Sequence, residues 1–107
     1  MSKLYVITRS DLELPYQGVQ AGHAVSRWSR VNPDHLWWDN ETMAYLVVDD
    51  ESHLKRWCEK LKVRGYDFIE FHEPDIGNQL TAIACYSDDK IFRGLKKMRE
   101  KENQKVA

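Results

Sequence analysis

The sequence predicts an α/β domain: a mixed four-stranded sheet flanked by helices, in the order β-α-β-α-β-β-α. Three observations carry this. Short runs rich in β-branched and aromatic residues alternate with segments of helical period. The first two connections between such runs are long enough for right-handed crossover helices that pair successive strands in parallel, while the third is only a Pro-, Gly- and Asn-containing turn. The 107 residues suffice for one hydrophobic core rather than two, so 1–107 reads as a single domain.

The elements follow in order. KLYVITR (3–9) is a strand whose near-continuous apolarity suits a central position, covered on both faces. Pro15 fits the first turn of a helix, where a missing N–H costs nothing. That helix runs to about Val31 and stops at NPD (32–34), because the residue before a proline avoids helical geometry. At 100° per residue, Ala21, Ala24, Val25, Trp28 and Val31 cluster on one side. Tyr16, Gln20, His23, Arg27 and Arg30 fall on the other, so Gln20 and His23 are expected to face away from the core.

DHLWWDNE (34–41) is a loop, and its Trp37 and Trp38 suit core or dimer packing, with nucleobase stacking as the alternative. TMAYLVVDD (42–50) is the second strand. ESHLKRWCEKLKVRG (51–65) is an amphipathic helix with Leu54, Trp57, Cys58 and Leu61 as its stripe and Gly65 as its stop. YDFIEFHE (66–73) alternates as a third strand, PDIGN (74–78) turns, and QLTAIACYS (79–87) is the fourth strand, antiparallel to the third or part of a mixed sheet. DDKIFRGLKKMREKENQ (88–104) reads as a final helix opened by an Asp cap, with Ile91, Phe92, Leu95 and Met98 on one side and a frayed end after Glu100.

Composition narrows the function. A formal net charge of −1 argues against wholesale attraction to nucleic acid but leaves room for a local basic face. Cys58 and Cys85 sit in apolar patterns without metal-ligand spacing, so buried free thiols are expected and no metal or cofactor. No apolar run approaches the roughly 20 residues that span a membrane, and the chain opens on a strand rather than a leader. A reducing cytoplasm is the expected location.

In an open α/β sheet, sites collect beyond the carboxyl ends of the strands. Strand 1 ends near Arg9 and Asp11, and the first helix brings Tyr16, Gln17, Gln20 and His23 beside them. Strand 3 ends with His72, Glu73 and Asp75; the turn adds Asn78, and Gln79 and Thr81 lead into strand 4. A histidine among carboxylates, amides and a hydroxyl suits hydrolysis by an activated water. Plainer readings stand beside it: His23 as a surface helix residue, Asp75 as a turn residue, Thr81 as a strand residue, and His35, His53 and His72 as structural or exposed. The lysine-rich final segment is either a solvated face or, with Arg27 and Arg30, a phosphate contact.

YVITRSDLELPYQGVQAGHAV (5–25) resembles the N-terminal segment of type II peptidyl-tRNA hydrolases. In that family a strand ends in Arg-Thr-Asp-Leu, and a helix follows with Gly-Lys and then Gln-x-x-His-Ala. Here Arg9-Ser10-Asp11-Leu12 and Gln20-Ala21-Gly22-His23-Ala24 stand at those places. FHEPDIGNQLTAIA (71–84) is similar to the family's Asp-Ala-Gly-Arg-Thr…Thr-Val-Leu-Ala-Ile region, with Glu73 near its aspartate, Asp75 in its loop and Thr81 at its threonine. IFRGLKKM (91–98) resembles the closing Gly-Leu-Lys-Leu. The chain departs in having Pro15-Tyr16 where the family has Gly-Lys, and Ile76-Gly77-Asn78 for a longer Arg-Thr loop; it resembles a divergent, shortened member.

The resemblance implies metal-free hydrolysis of the ester between a peptide and the 3′ end of tRNA, with a homodimer as a further possibility. It implies His23 as general base on water or as the group that orients the water, held by Asp75 or Asp11, with Thr81 in the site. Asn78, Gln20 or backbone amides would stabilise the oxyanion, a contribution of about 3 kcal/mol per donor. Arg9, Tyr16, Gln17, Gln20, Arg27, Glu73 and Gln79 would bind substrate. Arg30, Lys90, Arg93, Lys96 and Lys97 would hold the tRNA backbone. Tyr16 in place of lysine supports a second reading, a non-catalytic relative that binds tRNA or a protein partner through the same surface. An ester or amide hydrolase with another substrate is a third.

Overall fold

Strand β1 (Lys3–Arg9) is the middle of the sheet in the computed structural model, which describes residues 2–88 and 90–97. Its apolar run has two neighbours to satisfy. It pairs in parallel with β2 (Met43–Val48), Val6 opposite Tyr45, and antiparallel with β4 (Gln79–Ser87), Val6 opposite Ala84. Strand β3 (Ile69–Glu73) lies antiparallel on the outer side of β4. The order β3-β4-β1-β2 is therefore a mixed four-stranded sheet, with a two-residue strand β5 (Lys96–Lys97) against β2.

Alternation along the strands divides the side chains between two layers. Leu4 and Val6 join Ala82 and Ala84 under helix α1 (Leu14–Val31), which supplies Ala21, Ala24 and Trp28. Tyr5 and Ile7 join Ile83 and Cys85 under helix α2 (Glu51–Val63), which supplies Leu54, Cys58 and Leu61. One helix covers each face. Asp50 caps α2 by accepting the His53 N–H at 2.9 Å.

Three expectations change. The crossover through α2 does not set β3 beside β2. The short 74–78 turn keeps β3 and β4 adjacent, so β3 runs parallel to β1 from two places away. The buried stripe of α1 is Gln17, Gln20, Ala21, Ala24 and Trp28, while Val31 is 64% exposed; the helix is rotated toward its glutamines. The third concerns the expected final helix. Ile91 and Phe92 do enter the core, with the Phe92 ring 4.6 Å from Tyr5 and 5.4 Å from Trp57. They do so from turns that end at Gly94, whose φ of +98° is closed to a right-handed helix, and the chain then forms β5. Residue 89 and residues 98–104 of that expected helix, with Met98 and the fraying end, lie outside the described residues.

The two tryptophan rings meet edge-on at 4.9 Å but differ in burial. Trp37 is buried, meets Trp28 edge-on at 5.5 Å and donates to the Thr42 carbonyl, while Trp38 stays at the surface. Among the described residues no helix is long and apolar enough to cross a membrane.

Cys58 and Cys85 are both free and buried, and burial pushes each thiol up to about 12. A thiol-specific aromatic disulfide reagent at pH 8 should leave both untouched in the native protein and titrate both after unfolding. Fast labelling of either in the native state would contradict this packing.

Candidate active site

The strand directions bring four ends to one rim. Strands β1, β2 and β3 finish there and β4 starts there, with Arg9 opposite Val48 and Glu73 opposite Gln79. Both helices begin at the same rim, since each follows a strand that ends on it. The residues gathered by the sequence argument therefore share an edge, but they divide between its two faces.

On the α1 face a buried relay forms. The β3–β4 ladder is irregular here: Phe71 faces Ala82 and His72 faces Leu80, which leaves Thr81 as an extra residue on β4. This bulge turns Thr81 toward α1, where its hydroxyl lies 2.6 Å from Gln20 Oε1. Gln20 Nε2 lies 2.9 Å from Glu73 Oε1. Chemistry fixes the orientation of the amide. An ionised carboxylate only accepts, so the NH₂ must face Glu73 and the carbonyl must face Thr81. The Thr81 hydroxyl has one proton, and it goes to Gln20.

Glu73 Oε2 accepts the Asp75 N–H at 3.3 Å. The Gln20 hydrogen bond, the Asp75 N–H and the charge of His23 together hold this carboxyl below the usual glutamate range, against the opposing effect of desolvation. Gln20 and Thr81 are fully buried and Glu73 is 7% exposed.

His23 lies one helical turn beyond Gln20, on the solvent side. Its ring stacks on Phe71 at 4.6 Å with 16° between planes. The Arg27 guanidinium sits 5.1 Å from the same ring centre. Tyr16, half-buried at the start of α1, keeps its phenol proton more firmly than usual, through desolvation first and then the charges of Glu73 and Asp75. His23, Arg27, Tyr16, Glu73 and Asp75 thus surround one patch of the α1 face. Asp75 is exposed, and its backbone rather than its side chain is seen bound to Glu73.

The α2 face holds a separate knot. Arg9 is 5% exposed. It grips Asp11 with one edge, Nε to Oδ1 at 3.0 Å and Nη2 to Oδ2 at 2.8 Å, and its Nη1 donates to Gln79 Oε1 at 2.9 Å and to the Leu80 carbonyl at 3.0 Å. Its charge is reinforced chiefly by the Asp11 hydrogen bond, and Glu51 accepts the Leu80 N–H at 2.8 Å. Asp11 is therefore Arg9's partner rather than the group that orients His23, and Gln79 is likewise spent on Arg9. The signal was local: an arginine and an aspartate two residues apart at a strand end close on each other.

Other candidates serve the frame. Gln17 is fully buried and its Nε2 donates to the Leu12 carbonyl at 2.6 Å, which pins the β1–α1 connection; it does not face a substrate. Asn78 has a left-handed backbone, φ +60°, and its carbonyl meets His72 Nδ1 at 3.1 Å. Arg30 is exposed, about 21 Å along the helix axis from Tyr16 at 1.5 Å per residue. Lys90 and Arg93 are exposed but flank Ile91 and Phe92, which pack on the α2 side. The sheet stands between them and Arg27, so they do not form one basic surface with it. Lys96 and Lys97 pair through their backbones with Val47 and Leu46, and their side chains lie outside the described residues. Phe71, absent from the sequence candidates, was legible in FIEFHE: alternation sets Ile69, Phe71 and Glu73 on one face. Among the described residues no group of three or more His, Cys, Asp or Glu side chains is placed to hold a metal ion.

No family model matches the sequence, and no curated protein matches it either. The fold is similar to that of a solved protein of unknown function from Agrobacterium tumefaciens strain C58, with a TM-score of 0.69 at 16% identity, over 90% of this chain and 96% of that one. At that identity the likeness is one of fold.

Two measurements test the relay. Thr81→Val keeps the shape and strands the buried Gln20 carbonyl; urea unfolding should show a loss of about 1–3 kcal/mol. Glu73 is lowered in the folded state, so its stabilisation is complete above the unfolded value near 4.5 and disappears as pH falls through the lower folded value. The stability gap between wild type and Glu73→Gln should be constant above about pH 5.5 and shrink steadily below it. A gap that grew on acidification would contradict the assignment.

Proposed function

We propose that the α1 face of this rim hydrolyses an ester by means of His23 and an activated water, with peptidyl-tRNA as the substrate. The observation that carries the reading is the placing of His23. Its ring is solvent-exposed and braced on Phe71, next to a carboxylate that Gln20 and the Asp75 N–H keep ionised. The reading joins this geometry to the resemblance of the 5–25 and 71–84 segments to type II peptidyl-tRNA hydrolases.

The chemistry follows from these groups. His23 removes a proton from water as the water oxygen attacks the ester carbonyl, and the Glu73 charge favours the imidazolium that results. The tetrahedral intermediate expels the ribose oxygen, which recovers the proton from His23, leaving a free peptide acid and tRNA. Glu73 takes the supporting role that Asp11 cannot, since Asp11 is engaged by Arg9. Tyr16 keeps its proton and offers an O–H donor where the family has a lysine. Arg27, one turn from His23, suits the terminal phosphates of the nucleic acid, and Arg30 extends that row along α1. This work requires no metal, and it belongs in the cytoplasm, where peptidyl-tRNA arises.

The tyrosine also favours a second reading, a relative that binds tRNA through the same rim without turnover. Incubation of purified protein with peptidyl-tRNA separates the two. Release of tRNA should fall about 100-fold or more in His23→Ala with the fold intact. Glu73→Gln should reduce it by a smaller factor, and Lys90→Ala should leave it unchanged. Salt-sensitive binding without release in wild type would select the second reading. Equal release by wild type and His23→Ala would overturn the mechanism.

A further inference from the structure

Charge is unevenly spread along helix α2. Residues 51–64 carry five of the 16 Lys and Arg in the chain but only two of its 17 Asp and Glu, so this stretch is basic in a protein of formal charge −1. The two flanks of the helix treat their cations differently. On the flank toward β3, Lys55 pairs with Glu51 and Lys62 with Glu70, each at 3.6 Å. Glu59 falls about 40° from Lys55 around the helix, on that same side. On the other flank Arg56, Lys60 and the C-cap residue Arg64 follow at intervals of four residues, about 6 Å apart along the axis. All three are exposed, and among the described residues none of them forms an ion pair.

This flank is also shaped. His53, Arg56, Trp57 and Lys60 line a shallow depression of about 210 Å³ that contains no carboxylate. Lys60 is braced there, with Nζ 4.6 Å from the centre of the Trp57 ring, which in turn packs on Phe92 at 5.4 Å. His53 Nδ1 accepts the Asp49 N–H at 3.4 Å, so the neutral ring carries its proton on Nε2 and adds an N–H donor to the two cations. Helix polarity accounts for part of the arrangement, since cations near a C-terminus meet its partial negative charge. That covers Lys60 and Arg64 but not Arg56, two turns before the end of the helix.

A row of exposed cations without counter-ions is complementary to a chain of anions. A phosphodiester chain presents one charge per residue and is gripped chiefly by Lys and Arg, and arginine offers paired donors that fit a phosphate. We propose that the flank of α2 formed by Arg56, Lys60 and Arg64 binds the phosphodiester backbone of a nucleic acid. The sheet stands between this flank and Arg27, so the contact is additional to the rim and does not rest on the hydrolytic reading.

Two probes carry the test, an RNA hairpin without a 3′ ester and a DNA duplex of equal length, each titrated into the full-length protein between about 50 and 200 mM salt and followed by fluorescence anisotropy. Saturable binding of at least one is expected, and the tighter identifies the source of the backbone. Arg56→Gln with Lys60→Gln should weaken it about tenfold or more at low salt and reduce the salt slope by about two. Lys55→Gln with Lys62→Gln removes the same charge from the paired flank and should leave the slope unchanged. Equal effects of the two double variants, an unchanged slope in the first, equal competition by polyglutamate charge for charge, or no saturation by either probe would overturn the proposal. Loss of binding in Arg27→Gln alone would also overturn it, while leaving the reading of the rim intact.

Discussion

The amide of Gln20 is the interaction on which the site depends. It is fully buried between a helix and a sheet, where an unpaired amide would be costly. Both of its ends are satisfied by groups from other elements, Thr81 on β4 and Glu73 at the end of β3. The bond pair therefore sets the rotation of α1 about its own axis as well as its height on the sheet. His23 leaves the helix three residues later, so its position against Phe71 follows from the same constraint. The bulge at Thr81 belongs to this logic: without the extra residue, the alternation of β4 would turn that hydroxyl to the other face.

Small side chains make the relay geometrically possible. Ala21 and Ala24 on α1 meet Ala82 and Ala84 on β4 in one buried cluster. Short side chains on both partners let the helix settle close to the sheet, and only at that distance does a glutamine reach a strand hydroxyl at 2.6 Å. Ala21 and Ala24 thus serve the polar pair, whereas Gly18 and Gly22 are exposed and an added Cβ at either would meet nothing within 4 Å. Farther along α1 the packing changes character. Trp28, Trp37 and Tyr86 fill a wider gap, so the helix is held closely at its middle and by rings toward its end.

How much of this the sequence disclosed depended on how local the cause was. Strands β1 and β4 have the bounds that their apolar runs suggested, and the α1 and α2 patterns led to helices on opposite faces. The outward placing of Gln20 was the main misreading. A helical wheel sorts glutamine by polarity, whereas its burial depends on two partners more than 50 residues away. The final helix failed for a different reason. Ile91, Phe92 and Leu95 are apolar because they cover the α2-side core, and turns present them as well as a helix would. Gly94 marked the difference, although a glycine in a helical pattern is compatible with either outcome.

The two polar systems at the rim explain why so few groups remain for chemistry. Odd-numbered residues of β1 face α2, so the Arg9 charge is used there, on Asp11, Gln79 and the Leu80 carbonyl. That knot closes the β1 end against the start of β4 and removes Asp11 from the other face. On the α1 face the bulge and Gln20 deliver Glu73 instead, nearly covered, already provided with two donors, and close enough for its charge to be coupled to His23. A carboxylate so arranged cannot readily take up a proton, and it has little room to move toward solvent. Its remaining influence is electrostatic, and it helps to hold the proton on the Tyr16 phenol. The division of the rim by the sheet thus assigns Arg9 and Asp11 to holding the strands and leaves Glu73, fixed by Gln20 and the Asp75 N–H, on the face that carries His23.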